Sequence, residues 1–250
     1  ACAPNVMSYF VSGCDNLQPV KKLIDIMDAQ VGQAPHALRY VRCVGFNETF
    51  TDGRAFDKLS QLVDGTYQGI DAEGQYGNDP YPVLDGTINL TTGAYRDTYD
   101  ALMTHYPKLK LNIAKWWIRF EDPEVKRICI ENWDKDGDGE LSMEEAASVS
   151  SIGTNYVMNP LLHLSQPFDF VELQYFNKLR TASFSDTKVR KIVLPEGTIE
   201  CDFYGCTCVE YVDYPTTYSK KGNSDWSLRN MQSSKRILIL RSEVKVENLR

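Results

Sequence analysis

The fold is decided by a stretch near the C-terminus, Val189-Arg-Lys-Ile-Val-Leu-Pro195, in which a short apolar pattern ends at a proline. The same spacing recurs at 179–184 and 209–215, and a weaker copy occupies 235–240. Alternate residues of a short strand point to one face, so the apolar residues of successive copies would stack on one another. The proline would end pairing and turn the chain. The pattern therefore predicts a short solenoid of stacked strands.

The first part of the chain alternates between helix-like and strand-like segments. Val20, Leu23 and Met27 recur at helical spacing, which predicts an amphipathic helix. A later helix is predicted to begin with Thr91 or Thr92 as its cap and to end before Pro107. Strands are predicted between and after these helices, at 38–46, 84–90 and 109–113. This alternation favours an open α/β layer with long, helix-bearing repeats.

Residues 134–145 read D-K-D-G-D-G-E-L-S-M-E-E, the complete pattern of an EF-hand calcium loop. Ca²⁺ takes six to eight oxygen ligands, and such a loop supplies them from alternate residues before it turns back. The alternative is an acidic Asp/Gly turn that binds no ion. The predicted ligands are the carboxylates of Asp134, Asp136 and Asp138, the carbonyl of Glu140, a water on Ser142, and bidentate Glu145.

The segments beside this loop predict a helix on each side, an entering one over 123–133 and an exiting one that starts in 142–149. A sensor EF-hand works in pairs and opens a groove for its target. The sequence contains one such loop, next to a repeat pattern. A structural role for Ca²⁺ is therefore favoured over a regulatory one.

A family resemblance is carried by two motifs. Residues 203–215 read F-Y-G-C-T-C-V-E-Y-V-D-Y-P and resemble the BspA-type leucine-rich repeat, whose consensus is roughly F-x-G-C-x-x-L-x-x-I-x-I-P. The calcium loop leading into 168–176 also resembles that family, in which such a segment feeds directly into the first repeat. The similar region covers residues 123–241. The resemblance implies an α/β, leucine-rich-repeat-like solenoid with an EF-hand-type helix–loop–helix insertion.

Three regions are expected from these patterns. Residues 1–121 would form the α/β leucine-rich-repeat-like part, 122–160 the calcium-binding helix–loop–helix, and 161–250 the BspA-type repeats. The resemblance further implies an exported protein of gut anaerobic bacteria that recognises or adheres to a host or bacterial surface protein or glycan. Cys2 lies near the start of the sequence and would suit a lipid anchor, although an ordinary repeat cysteine is the alternative.

Composition excludes several classes of partner. The net charge of −7, with both signs mixed along the chain, argues against a nucleic-acid surface and against attachment to an anionic membrane. No apolar run approaches the roughly 20 residues needed to span a bilayer. The seven cysteines are scattered and lack paired C-x-x-C motifs, which argues against a zinc ribbon and indicates that most are buried.

Nothing in the sequence marks a catalytic centre. The three histidines are far apart, and no nucleophile elbow, zinc-protease, phosphate-binding or dinucleotide-binding motif is present. We therefore expect a non-enzymatic protein. The alternatives are a glycan-processing enzyme with an unrecognised carboxylate pair and a spacer that presents another part of the protein.

Aromatic residues in two loops are the candidates for ligand contact. Exposed rings among flexible residues can stack on sugars or anchor a protein partner. For the first loop the alternative is that its tyrosines pack against their own domain, and for the second the alternative is a poorly ordered linker. The residues in question are Tyr67, Tyr76 and Tyr81 in the first loop and Tyr218 and Trp226 in the second.

Overall fold

The computed structural model describes residues 5–13, 18–33, 36–67, 82–153, 159–215 and 237–240. The chain divides into two compact units, Ala1–Trp117 and Ile118–Arg250. Residues 122–160 lie in the second of these units. Each unit has its own hydrophobic core.

The first unit is one parallel sheet with short helices between its strands. The strand order follows the chain, β1-β2-β3-β4, and each neighbouring pair is parallel. The strands are β1 Ser8–Ser12, β2 Tyr40–Phe50, β3 Val83–Tyr95 and β4 Lys110–Trp117. The helices are α1 Pro19–Ala29, α2 Gly53–Asp57, the 3₁₀ helix Lys58–Leu62, and α3 Arg96–His105.

The core of the first unit is formed by one face of the sheet and the apolar faces of its helices. Along β2, buried and more exposed residues alternate in the way that a sheet with one covered face requires. Leu23 and Met27 on α1 are fully buried, as their helical spacing predicted. Strand β3 continues through Thr91 and Thr92 to Tyr95, so the prediction that a threonine caps α3 is wrong.

A buried carboxylate joins the sheet of the first unit to α1. Glu48 on β2 is 3% exposed. Its two oxygens accept the backbone N–H groups of Val20 at 2.8 Å and Lys21 at 2.9 Å. These N–H groups lie in the first turn of the helix, where no carbonyl of the helix accepts them. The side chain of Gln18, at the N-cap position, does not accept them either. Glu48 therefore caps α1 from a strand distant in sequence.

The second unit is built from short elements. Its strands form two parallel sheets, in the orders β11-β10-β8-β6 and β5-β7-β9. The helices are α4 Pro123–Trp133, α5 Met143–Ala146, and the 3₁₀ helices Pro160–His163 and Val171–Tyr175. The strands are β5 Ser151–Ile152, β6 Phe168–Phe170, β7 Thr181–Ser183, β8 Val189–Val193, β9 Glu200–Asp202, β10 Tyr211–Tyr214 and β11 Ile237–Leu240.

The predicted leucine-rich-repeat-like solenoid is wrong. The described strands form three separate parallel sheets of three or four strands each, and none of these sheets contains strands of both units. The copy of the apolar pattern at 179–184 forms β7, which pairs with β5 and β9. The next copy forms β8, in the other sheet, where it pairs with β6 and β10. The copies at 179–184 and 189–195 therefore lie in different sheets, whereas those at 189–195, 209–215 and 235–240 form the neighbouring strands β8, β10 and β11 of one sheet. The architecture is α/β with several short parallel sheets and few helices.

Aromatic side chains fill the core of the second unit. Phe170, Phe176, Phe184 and Phe203 are each 0% exposed. The Phe184 and Phe203 rings are stacked with centroids 5.5 Å apart. The strands here are two to five residues long, so backbone ladders alone cannot hold them. Burial of these rings, worth about 1.5–3 kcal/mol for each large apolar side chain, supplies the rest of the stabilising free energy.

Candidate metal centre

The helix that enters the acidic loop begins where its sequence predicts. Asp122 is the N-cap of α4, and its side chain accepts the N–H groups of Glu124 at 2.9 Å and Val125 at 3.3 Å. Pro123 occupies the first helical position, where the missing N–H costs nothing. The helix runs over Pro123–Trp133, which confirms the predicted bounds. It delivers the chain to Asp134 with the loop directly following.

The loop brings three carboxylates together. Asp134, Asp136 and Asp138 each offer an oxygen, and these oxygens lie within 4.8 Å of one another. Gly137 and Gly139 take φ angles of +71° and +77°, a conformation that suits glycine and allows the tight turn. At such separations like charges repel by about 1 kcal/mol per pair even in water. A cation placed among them would remove that repulsion.

Backbone N–H groups of the loop hold the carboxylates in place. Asp134 accepts the N–H of Gly137 at 2.7 Å on one oxygen and that of Gly139 at 2.9 Å on the other. Asp138 accepts the N–H of Glu140 at 2.8 Å. These local bonds shape the loop around its acidic residues before any ion is considered.

Glu145 lies in the loop but is not one of the converging carboxylates. One of its oxygens accepts the N–H groups of Lys135 at 2.8 Å and Asp136 at 3.3 Å. The other accepts the N–H of Ser142 at 2.9 Å and its hydroxyl at 2.7 Å. Burial alone would raise the pKa of this carboxyl, but the hydrogen bonds from Ser142, Lys135 and Asp136 outweigh burial and lower it. The side chain is therefore held as an anion.

Ser142 and Glu140 have structural partners in the loop. The Ser142 hydroxyl accepts the N–H of Glu145 and forms a capping box at the start of α5, which is only four residues long. The Glu140 side chain is 2% exposed and pairs with Lys126 on α4, with 2.7 Å between Nζ and Oε2. Lys126 is a residue that the sequence analysis missed, because its partner lies 14 residues away across the loop.

The structure describes one of the five aromatic residues that were predicted to contact a ligand. Tyr67 is 6% exposed, its hydroxyl donates to the Met27 carbonyl at 3.1 Å, and its ring meets His36 edge-on at 4.3 Å. Burial, with a further contribution from Asp28, raises the pKa of Tyr67 to about 12. Tyr67 is thus a core residue and not an exposed ring. The other four predicted residues, Tyr76, Tyr81, Tyr218 and Trp226, lie outside the described residues.

The described cysteines are thiols. Cys43, Cys129, Cys201 and Cys206 are buried and Cys208 is half-buried. Burial raises the pKa of Cys43 to about 12, so this thiol stays protonated at neutral pH. The prediction that most cysteines are small buried residues is confirmed for four of the five described.

Two further findings bear on identity. Within the described parts of the chain, no helix has the length and apolar character needed to cross a membrane. No family model, no curated protein and no solved structure matches this chain.

Proposed function

We propose that residues 134–145 bind Ca²⁺ and that the ion stabilises the second unit of an exported, non-enzymatic recognition protein. The observation that carries the proposal is the meeting of three aspartate oxygens within 4.8 Å. Ca²⁺ suits them because it prefers oxygen ligands and accepts an irregular shell that includes carbonyls and water. The carbonyl of Glu140, a water near Ser142 and Glu145 would complete that shell. Glu145 would exchange its bonds to loop N–H groups for the ion.

A structural role for the ion follows from what the loop joins. Helix α4 precedes the loop, and Val125, Ile128 and Cys129 on its inner face belong to the core of the second unit. Trp133, at the end of α4, meets Phe176 edge-on with centroids 5.2 Å apart. The Leu141 carbonyl, on the far side of the acidic residues, accepts the N–H of Ile118 at 2.8 Å. An ion that closes the loop would keep α4 against this core.

Recognition, and not catalysis, is the activity that we propose. Glu48 and Glu172 are buried carboxyls whose pKa is raised, the kind of group that a general acid requires. They belong to different units, however, and each accepts backbone N–H groups in a structural role. No observation on the described residues favours the glycan-processing alternative. The partner would be a host or bacterial surface protein or a glycan, met at the cell surface.

The calcium part is tested by thermal melts of the whole chain in millimolar Ca²⁺, in Mg²⁺ and in EDTA. With free Ca²⁺ about 100-fold above Kd, the folded state gains about 2.7 kcal/mol. For a chain of this size that raises Tm by roughly 5–10 °C. Asp134→Asn should abolish the shift. Glu144→Gln, which changes an exposed carboxylate of the loop that is not among the predicted ligands, should retain it. Equal melts in Ca²⁺ and EDTA would disprove the calcium site.

The recognition part needs a separate screen. The calcium-loaded protein would be tested against immobilised matrix proteins and a glycan array, beside the Tyr76→Ala/Tyr81→Ala variant. Binding to either class supports recognition, and loss of binding in the variant would assign it to that loop. If neither class binds, the spacer alternative replaces recognition.

A further inference from the structure

A groove runs along strand β4 of the first unit. It is an open groove with a volume of about 480 Å³, within the range of small-ligand sites. The residues that line it include Asn89, Leu111, Asn112, Ile113, Tyr99 and Trp116. Because neighbouring strand residues point to opposite faces, the exposed side chain of Asn112 lies on the face away from Leu111 and Ile113, which pack against the core. No acidic or basic residue is among those that line it, in a chain of net charge −7. Such a lining suits a neutral ligand better than an anion or a cation.

The two amides of the groove belong to a hydrogen-bonded ladder across three strands. Asn112 Nδ2 on β4 donates to Asn89 Oδ1 on β3 at 2.7 Å. Asn89 Nδ2 in turn donates to Asn47 Oδ1 on β2 at 2.9 Å. The ladder leaves the Oδ1 atom of Asn112 without an internal donor, and each Nδ2 keeps one N–H. Asn112, which is exposed, thus presents one acceptor and one donor in a fixed orientation.

The two rings are also held in fixed positions. Tyr99 on α3 and Trp116 on β4 meet edge to face, with centroids 5.2 Å apart and an interplanar angle of 82°. The Arg96 guanidinium lies 4.9 Å from the Trp116 centroid and 5.1 Å from that of Tyr99. Arg96 is itself paired with Asp100 at 3.0 Å. The Tyr99 hydroxyl and the Trp116 Nε1–H have no hydrogen-bond partner among the described residues, so both are available to a ligand.

We infer that this groove binds a neutral pyranose unit of a carbohydrate. The face of a pyranose carries C–H groups whose partial positive charge suits the negative face of an aromatic ring. Its rim carries neighbouring hydroxyls, each a donor and an acceptor, which match the adjacent donor and acceptor of the Asn112 amide. Because the rings and amides are already held by their neighbours, little ordering entropy is lost on binding. The inference rests on the proposed recognition function and names its ligand class and site.

Direct titration of the calcium-loaded chain tests this inference. The probes are N,N′-diacetylchitobiose, lactose and methyl α-D-mannopyranoside, which present different hydroxyl arrangements around a similar ring. We expect at least one to bind with Kd near or below about 1 mM by calorimetry. Asn112→Ala and Tyr99→Phe should each weaken that binding roughly tenfold, about 1.4 kcal/mol. Asn177→Ala, which changes an exposed asparagine of the second unit, should leave the Kd unchanged.

The largest loss of binding is expected for Trp116→Leu, and hydrogen exchange shows whether this variant keeps its fold. Hydrogen exchange of β3 and β4 should match the wild type while binding is lost. If that exchange is altered, the decision rests on Asn112→Ala and Tyr99→Phe, which change an exposed and a half-buried residue. Absence of binding to all three probes overturns the inference. So does binding that these two variants leave intact, in which case recognition survives at another site. The calcium melts report on the second unit and succeed or fail independently.

Discussion

The two units of this chain are stabilised in different ways. The first has strands of up to 13 residues in one continuous parallel sheet. The second divides strands of two to five residues between two sheets. Long ladders pair many backbone groups per strand, whereas short ones depend on what the side chains bury. One α/β chain can therefore be stabilised mainly by backbone pairing in one half and by aromatic packing in the other.

The largest effect is expected in the core of the second unit. Phe176 is fully buried and contacts the rings of Trp133 and Phe170, at 5.2 and 5.8 Å. Phe176→Ala should lower the free energy of unfolding of this unit by about 3–5 kcal/mol. Hydrogen exchange should show faster opening of β6 and β8 and unchanged β2 and β3. Tyr175→Ala, at a neighbour that is 38% exposed, is the control. Equal loss of protection in both units would remove the distinction between them.

The next largest loss of stability is expected for Gly53→Ala, which tests close packing in the first unit. A Cβ on Gly53 would lie 1.9 Å from the Gly93 carbonyl oxygen and 2.6 Å from the Trp117 ring, so no side chain fits there. Gly53→Ala should cost about 2–3 kcal/mol, since the backbone itself must move. Gly65→Ala is the matched control, because its Cβ would meet open space and only its φ of +88° is unfavourable. It should cost about 1 kcal/mol in chemical denaturation. A reversed order would contradict the packing argument.

Glu48 in the first unit and Glu172 in the second are buried glutamates that differ in how fully their oxygens are hydrogen-bonded. Both oxygens of Glu48 accept backbone N–H groups. Glu172 Oε1 accepts the Glu121 N–H at 2.6 Å, whereas its buried Oε2 has no partner. In Glu48→Gln an amide donor must face an N–H group, and we expect a loss of about 1–2 kcal/mol. Glu172→Gln removes a buried unpaired anionic oxygen and should gain about 1 kcal/mol at neutral pH. Urea denaturation of both variants tests the contrast, and a loss in both would contradict it.

The pH dependence of the Glu172 variant follows from its pKa. Burial is the main cause that raises this pKa above the value of 4.5 that an unfolded chain has. The folded state therefore favours the protonated form, and its contribution to stability is complete below that value and lost as pH rises through the folded pKa. The advantage of Glu172→Gln over the wild type should grow from pH 4 to pH 7. A constant difference across this range would mean that Glu172 does not titrate abnormally.

The smallest effect is expected for Asp169→Asn, and its dependence on pH is opposite to that of Glu172→Gln. Hydrogen bonds from Arg190, at 2.7 Å to each carboxylate oxygen, are the main cause that lowers the pKa of Asp169 on β6. This contribution is present above the unfolded pKa of about 3.9 and is lost as pH falls through the folded value. Because the Arg190 side chain is 42% exposed, Asp169→Asn should cost no more than about 1 kcal/mol at pH 7. Denaturation at low pH should show no difference from the wild type.

Local signals in the sequence predicted the elements whose partners are near in the chain. Asp122 and Pro123 mark the start of α4, and the aspartates of the acidic loop converge as their alternate spacing requires. Trp116 and Trp117 are adjacent on a strand, so their side chains point to opposite faces, and Trp117 is the buried one at 3% exposure. Ring positions in the groove, by contrast, depend on α3 meeting the end of β4. A run of outward asparagines at 47, 89 and 112 was the available signal, and it is visible only once the strand register is known.

By itself, the sequence determined the acidic loop, the helix that leads into it, the alternating burial of β2 and the apolar faces of the helices. All of these follow from periodicity, caps and turn residues within a few positions of one another. Only the tertiary structure decided which sheet each apolar strand joins, that Glu48 caps α1, and that Tyr67 is buried. Those outcomes depend on contacts between residues distant in the chain, where several pairings satisfy the same local pattern. The free energy of the whole core chooses among them.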